Sequence, residues 1–261
     1  MRIVDFSEKN LVDLVKPCIS EPETTQFKRG APFRMDWTKK SLNKGYGAKL
    51  LYDRQKPVGF IDYLPVEYIP DPVEGTDIFF LNCIYIQRAY WGKGYGKMLI
   101  LALEDEAKKK NKGVALLAWD HSHWFMPASY FLNLGYEEVA RRGKEVLLWK
   151  KFAEIIPPYF IEGKYKPHLV SGRLLVEAFF SGCCPHNSVI VERVKNVCEE
   201  FFDKVVFKET STEDFQVAKT LGVSFGILFN GKRKLLGAPT EEEIRREVKS
   251  ALNKLKIKNE K

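Results

Sequence analysis

Three glycines at alternate positions, Gly92, Gly94 and Gly96, stand in the run Trp91-Gly92-Lys93-Gly94-Tyr95-Gly96-Lys97. None has a Cβ, so main-chain N–H groups can converge where a side chain would block them. The run follows an apolar stretch, IFFLNCIYI, over Ile78–Ile86 and precedes KMLILALEDEAKKK, whose pattern predicts a helix over 97–110. N–H groups at a helix N-terminus favour an anion. The implied chemistry is a pyrophosphate cradle built from main chain. A dinucleotide fingerprint would place the third glycine one residue later, and a P-loop would put Ser or Thr after Gly-Lys, where Gly94 stands.

A second chemically capable run is Cys183-Cys184-Pro185-His186. A cysteine at a helix N-terminus can become a low-pKa thiolate. Together Cys183, Cys184 and His186 form a candidate thiol or metal site that could also take a thiophilic ligand. Adjacent cysteines would be strained as a disulfide. A scaffold turn capped by a cysteine pair is the simpler alternative. Cys83 lies within the apolar stretch and reads as a packed thiol, with an acyl nucleophile as the alternative.

The elements that must position these residues follow from pattern. Residues 2–6 read as a strand, and Ser7 can cap a short helix over 8–15. The segment 19–46 has no clear period, contains Gly30 and Pro32, and carries Phe27, Phe33, Met35 and Trp37. Residues 48–52 and 57–64 read as a hairpin across a polar turn. The almost wholly apolar strand at Ile78–Ile86 is expected to be covered on both faces. After the glycine run and its helix, 114–119 forms a second buried strand, joined to the first by a right-handed parallel crossover. A helix over 128–134 and a closing hairpin over 137–152 follow. A linker is expected over 153–172, where Pro157, Pro158, Gly163 and Pro167 break the pattern. Beyond it the order is βαβαββα, with Asn230-Gly231 as a tight hairpin turn and Thr240 with Glu243 as the capping box of a last helix.

The cradle, Trp91 to Gly96, with Tyr90 before it and Leu99 after it, resembles the acyl-CoA loop of the GCN5-related N-acetyltransferase (GNAT) family. Trp91 stands where that family carries Arg or Gln. The resemblance covers about residues 1–152. It implies a mixed sheet with flanking helices, acetyl-CoA as co-substrate and no obligatory metal. The cofactor-binding residues implied are Ile84, Tyr85, Ile86, Trp91, Gly92, Lys93, Gly94, Tyr95, Gly96 and Lys97. In that fold the two central strands splay apart, and an extended pantetheine arm bonds to the exposed edge near Ile84 and Ile86. The region after the first strand helps form the acceptor pocket, so Phe33 and Trp37 are candidate substrate-binding residues, with a core role as the alternative. The family ends its next helix with Tyr-x-x-x-Gly-Phe/Tyr. Gly135-Tyr136 matches the end, while Phe131 fills the tyrosine position and Tyr130 stands one residue before it. An offset of one residue turns a helical side chain by about 100°, which makes Tyr130 a displaced candidate for the general acid.

The second domain, 173–261, looks like thioredoxin, with cysteine at the first strand-helix turn. The dithiol chemistry does not carry over. His186 or Asn187, depending on alignment, occupies the place of the second cysteine, and Ser224-Phe225-Gly226 lacks the proline that family keeps in cis. The combination resembles the YoaP-like acetyltransferases. The fold class expected is therefore α/β (α+β): a GNAT mixed sheet over 1–152 and a smaller thioredoxin-like α/β domain over 173–261.

Composition bounds the reading. The 261 residues carry five cysteines and a net charge of +8. No apolar run approaches the roughly eighteen residues of a membrane span, and MRIVDFSEKN has no apolar core for a secretory signal. A cytoplasmic, transferase-class enzyme is expected, without nucleic-acid or membrane partners. The function expected is transfer of acetyl from acetyl-CoA to a primary amine of a small molecule or peptide by direct attack. An amine like that of lysine has a pKa near 10.4, so freeing its lone pair near neutrality costs about 4 kcal/mol. A base or a water chain must take that proton. Asp120 and His121, after the strand ending at Trp119, are the candidate catalytic bases, with Asp62 and His123 beside them and Tyr130 as acid. The alternative is a CoA-binding sensor without catalysis, whose cysteine module takes a metal or a thiol-reactive ligand.

Overall fold

The structure, a computed structural model, describes residues 1–19, 24–121, 125–235 and 238–259, without the side chains of 25–27, 233–234 and 256–259. The chain falls into two compact units. The first comprises 1–27, 35–69 and 73–161, and the second 28–34, 70–72 and 162–261.

In the first unit the chain runs β1 (Arg2–Asp5), α1 (Thr25–Ser41), β2 (Gly47–Asp53), β3 (Lys56–Pro65), β4 (Val73–Glu74), β5 (Ile78–Ile86), α2 (Tyr95–Lys109), β6 (Gly113–Trp119), α3 (Ala128–Leu132), β7 (Glu137–Arg142), β8 (Glu145–Lys150) and β9 (Tyr159–Phe160). Seven strands form one sheet in the order β1-β2-β3-β5-β6-β8-β7. This is a mixed sheet with flanking helices, as expected. All its pairings are antiparallel except β5 with β6. The expectation of an irregular segment over 19–46 is corrected by α1. Its Gly30 and Pro32 hide the helix from a reading based on propensity, since both are poor helix residues.

The β5–β6 pairing stops early. Ile78, Phe79 and Phe80 pair with Gly113, Val114 and Ala115, and then the strands part. From Leu81 onward β5 has a neighbour only on the β3 side, and its burial falls from complete to partial at Asn82. The sheet is thus forked, and α2 holds its two arms. Leu99 and Leu103 of α2 join a core that draws Ile61, Tyr63 and Leu81 from one arm and Leu116, Val146 and Leu148 from the other. Two carboxylates of α2 reinforce this. Glu104, 2% exposed, takes Lys150 Nζ of β8 at 3.1 Å. Glu106 takes the Tyr63 hydroxyl of β3 at 2.5 Å and Lys49 Nζ of β2 at 2.6 Å.

The second unit runs β10 (Leu174–Phe180), α4 (Asn187–Glu199), β11 (Val205–Ser211), α5 (Phe215–Leu221), β12 (Gly226–Phe229), β13 (Lys232–Leu235) and α6 (Glu241–Asn259), with sheet order β11-β10-β12-β13. Strand β10 is parallel to β11 and antiparallel to β12. Its Leu174 and Val176 pack with Ile190, Val194 and Ile244 of the helices. Asn230 and Gly231 both have positive φ, as the tight turn requires. Thr240 and Glu243 exchange hydrogen bonds at 2.8 and 3.2 Å, closing the expected capping box. The stretch read as a linker is fastened by its main chain. Strand β9 pairs with β4, and the N–H groups of Lys164 and Tyr165 reach the carbonyls of Thr220 and Leu221.

Burial alone would raise the Glu106 carboxyl, but hydrogen bonds from Lys49, Tyr63 and Lys110 override it and hold it down at about 2. Its folded value lies below that of an unfolded glutamate. Its contribution is therefore complete above about pH 4.5 and is lost as the pH falls toward 2. Glu106→Gln should cost about 1–2 kcal/mol at pH 7 after solvent screening. It should also flatten the acid limb of the stability curve, as read by urea unfolding from pH 7 to pH 2.5. An unchanged acid limb would show that α2 is not held by this carboxylate.

Candidate functional site

The glycine run connects the free end of β5 to α2. Gly92 and Gly94 have φ of 73° and 79°, a region that favours glycine, and no atom lies within 4 Å of where a Cβ of either would stand. The backbone there is open to a ligand. Gly94 caps α2 without any side-chain hydrogen bond, and the first turn holds no acidic residue. The leading N–H groups of α2 thus face outward beside Lys97 with no intrahelical partner. Lys93 lies over the Tyr90 ring at 5.4 Å and donates to the Ala89 carbonyl at 3.2 Å. The Tyr90 hydroxyl bonds to Asp53 at 2.9 Å, tying the loop to the turn between β2 and β3. An anion at this loop would meet main-chain N–H groups, a helix dipole and lysine charge.

Gly96 is glycine for a different reason. A Cβ there would lie 2.9 Å from the Tyr130 hydroxyl of α3. Phe131 points the other way, into the core at 1% exposure, with its ring against Tyr136. Tyr130 instead brings its hydroxyl to the start of α2, beside Gly96. Its burial raises the phenol's pKa, so it remains protonated at neutral pH. Helix α3 has only five residues. Packing of Phe131 sets its orientation.

The edge of β5 is placed by alternation. The Gln87 N–H bonds to the Val58 carbonyl on the β3 side, so the main-chain groups of Ile86 and Ile84 turn to the opposite, forked side. Their side chains meanwhile pack toward the α2 core, and Tyr85 takes the other face. Trp91 already uses one of these groups, its indole Nε1 donating to the Ile86 carbonyl at 2.6 Å. Arg88 stacks over that indole at 5.6 Å. Trp91 therefore closes the end of the open edge and leaves Ile84 as its free main-chain position.

The expected bases are separately placed. Asp120 is 66% exposed in its side chain and bonds to Arg141 at 2.7 Å, which also holds Glu138. The hydrogen bonds from Arg141 keep the Glu138 carboxyl low. His121 is half-buried at the end of β6, and its N–H bonds to the Trp119 carbonyl. His123 lies outside the described residues. Phe33 and Trp37 stand one helical turn apart on α1. Trp37 is buried in the first unit at 3% exposure, edge-on to Tyr46, while Phe33 groups with the second unit and packs against Phe180. The side chain of Phe27 is outside the described residues.

One polar group that the sequence reading did not assemble lies between β3 and β5. Asp62, fully buried, accepts from the Tyr46 hydroxyl at 3.0 Å and from Asn82 Nδ2 at 3.2 Å. A lone acid in GFIDYL and a lone amide in IFFLNCIYI were the available signals.

In the second unit, Cys183 and Cys184 precede α4, with His186 at its N-cap. Burial pushes the Cys183 thiol up to about 12, with the neighbouring Cys184 adding to the shift. Ser181 donates to its sulfur at 2.8 Å, and Arg34 donates to its carbonyl at 2.6 Å. Burial, with Arg193 nearby, lowers the His186 imidazole. All five cysteines are free. Among the described residues no group of three or more His, Cys, Asp or Glu is arranged to hold a metal. Desolvation of the sulfur opposes the low-pKa thiolate that its place before a helix would allow.

Residues 10–136 match the model of the Acetyltransferase (GNAT) family. Over 241 residues, 89% of this chain and 92% of that protein, the chain is 21% identical to the uncharacterized N-acetyltransferase YoaP of Bacillus subtilis. Among solved structures, it is similar to the PaiA N-acetyltransferase from Thermoplasma acidophilum in complex with coenzyme A. That match is 17% identical, covers 58% of this chain and 99% of that one, and has a TM-score of 0.42. It is also similar to the aminoglycoside 6'-N-acetyltransferase from Enterococcus faecium, with 18% identity, coverage of 58% and 97%, and a TM-score of 0.43. Among the described residues no helix is long and apolar enough to cross a membrane.

Burial, with the neighbouring Cys184, raises the Cys183 thiol well above the ordinary cysteine range, so little thiolate forms at pH 8. Iodoacetamide at pH 8 should therefore leave Cys183 unmodified in the native protein and label it after unfolding, as read by peptide mass spectrometry. Labelling of native Cys183 within minutes would contradict the buried thiol.

Proposed function

We propose that the first unit transfers acetyl from acetyl-CoA to a primary amine of a small molecule or peptide, by direct attack and without an acyl-enzyme. The observation that carries this reading is the arrangement of the fork. An open strand edge runs from the parting of β5 and β6 to a main-chain anion cradle, and a protonated phenol stands at the cradle's last glycine. The match of residues 10–136 to an acetyltransferase family supports it.

In this reading the N–H groups from Gly92 to Lys97 hold the pyrophosphate of acetyl-CoA, with Lys93 and Lys97 adding positive charge. The main chain of Ile84 aligns the extended arm along the β5 edge. From Ile86 back to Leu81 is five residues of strand, roughly 17 Å, so the thioester carbon lies near the parting of the strands. The amine nitrogen attacks that carbon, the C–N bond forms and the C–S bond breaks. Tyr130 gives its proton to the departing sulfur. Asp120 is committed to Arg141, so the base role passes to His121, directly or through water.

The second unit is read as thioredoxin-like from the strand order β11-β10-β12-β13 and the helices between the strands. The half-buried Cys183, its thiol raised by desolvation, argues against thiol exchange there. A cytoplasmic setting fits the five free cysteines.

The test is thermal unfolding with acetyl-CoA, with NAD and ATP as controls, followed by CoA release across an amine panel. A ligand at one hundred times its Kd adds about 2.7 kcal/mol to the native state. Acetyl-CoA alone should raise the midpoint, and a folded Gly94→Glu variant should lose the shift. Tyr130→Phe should lower kcat by about 10²-fold or less while leaving acetyl-CoA binding intact. No CoA release with any amine, despite binding, would turn the reading to a CoA-binding sensor.

A further inference from the structure

Strand β5 contains one irregularity, and it falls at the fork. Asp62 of β3 pairs with Cys83, and the next residue, Tyr63, pairs with Leu81. Asn82 is therefore an extra residue with no partner on β3. A bulge of this kind bends the strand and re-aims a side chain. Here it turns Asn82 onto the face that Asp62 occupies, two residues beyond the last β5–β6 pair at Phe80.

The orientation of the Asn82 amide is then fixed by chemistry. An ionised carboxylate only accepts, so the Asn82 NH₂ must face Asp62. It does so, with Nδ2 at 3.2 and 3.4 Å from the two carboxylate oxygens. The carboxylate is itself held by the Tyr46 hydroxyl, which Trp37 and Phe6 pack edge-on. The amide oxygen is directed away from the carboxylate. Asn82 is half-buried and makes no other hydrogen bond among the described residues. An oriented acceptor oxygen, backed by the fully buried Asp62 carboxyl, thus stands at the fork where the thioester is placed above.

We propose that Asn82, oriented by Asp62, receives the N–H of the acceptor's ammonium group, and that the site thereby selects cationic primary amines over neutral isosteres. This rests on the acetyl-transfer reading of the same fork. Asp62 is a positioning residue, and its charge, relayed through the Asn82 dipole, favours a cation. A neutral alcohol of the same shape would meet the same amide oxygen but gain little from the charge behind it.

The test uses the full chain saturated with CoA and isothermal titration with matched pairs: 1,5-diaminopentane against 1,5-pentanediol, tyramine against tyrosol, and an Nα-acetyl-lysine amide against its 6-hydroxynorleucine counterpart. At least one amine should bind at least tenfold tighter than its hydroxyl partner. Asn82→Leu should remove that preference, and Asp62→Asn should reduce it at least fivefold. Both should keep the CoA Kd within twofold, which a general loss of structure would not allow. For an amine that turns over, Asn82→Leu should raise KM more than it lowers kcat. If CoA binds and no pair is discriminated, or if the preference survives in Asn82→Leu, this inference fails while the transferase reading stands. If CoA does not bind, both fail.

Discussion

A parallel pair of strands that comes apart after three residue pairs would expose unpaired main chain in the middle of a sheet, and something must hold the two arms in place. Helix α2 does this. Its apolar side spans the fork, and its two carboxylates reach opposite arms, Glu104 to Lys150 on β8 and Glu106 to Lys49 and Tyr63 on β2 and β3. Removing either partner of such a pair leaves a charge or donor partly desolvated, which costs more than the pair contributes when intact. The fork is therefore a stable opening in the sheet. The same helix begins at the glycine run, so one element fixes both the open edge and the glycine turn at its end.

That economy explains why the glycines differ in purpose. Gly92 and Gly94 supply left-handed backbone with open space above it, whereas Gly96 makes room for the Tyr130 hydroxyl. Trp91 fits the same scheme. Where a longer basic side chain would extend toward a bound phosphate, its indole folds back on the Ile86 carbonyl and terminates the free edge. Positive charge near the loop then comes from Lys93, Lys97 and Arg88.

Much of this was legible in the sequence because it is local. The strand–glycine–helix run, the Asn230-Gly231 turn and the Thr240–Glu243 capping box each depend on residues within a few positions, and each formed as read. What failed was non-local. Helix α1 is concealed by Gly30 and Pro32, and Gly30 is explained only by the Pro185 carbonyl, which would stand 2.2 Å from a Cβ there. The Cys183 thiol was read from its place before a helix, but desolvation, a property of the folded interior, decides its protonation. The place of the Tyr130 hydroxyl beside Gly96 depends on the packing of Phe131, which no local pattern shows.

The bulge at Asn82 shows the same limit most sharply. In a regular strand Asn82 would face α2 with Leu81 and Cys83 opposite, or the reverse, and an amide within that apolar core would need a partner it lacks. Pairing across β3 decides otherwise. The Asp62 carboxylate is fully buried and must be hydrogen-bonded, and the supply of donors from Tyr46 on one side leaves a place for a second on the other. Inserting one residue into β5 brings the Asn82 amide into that place and breaks the ladder just beyond the point where β6 leaves. One irregularity thus supplies the buried Asp62 carboxyl with a second donor at the place where β5 has lost its β6 neighbour.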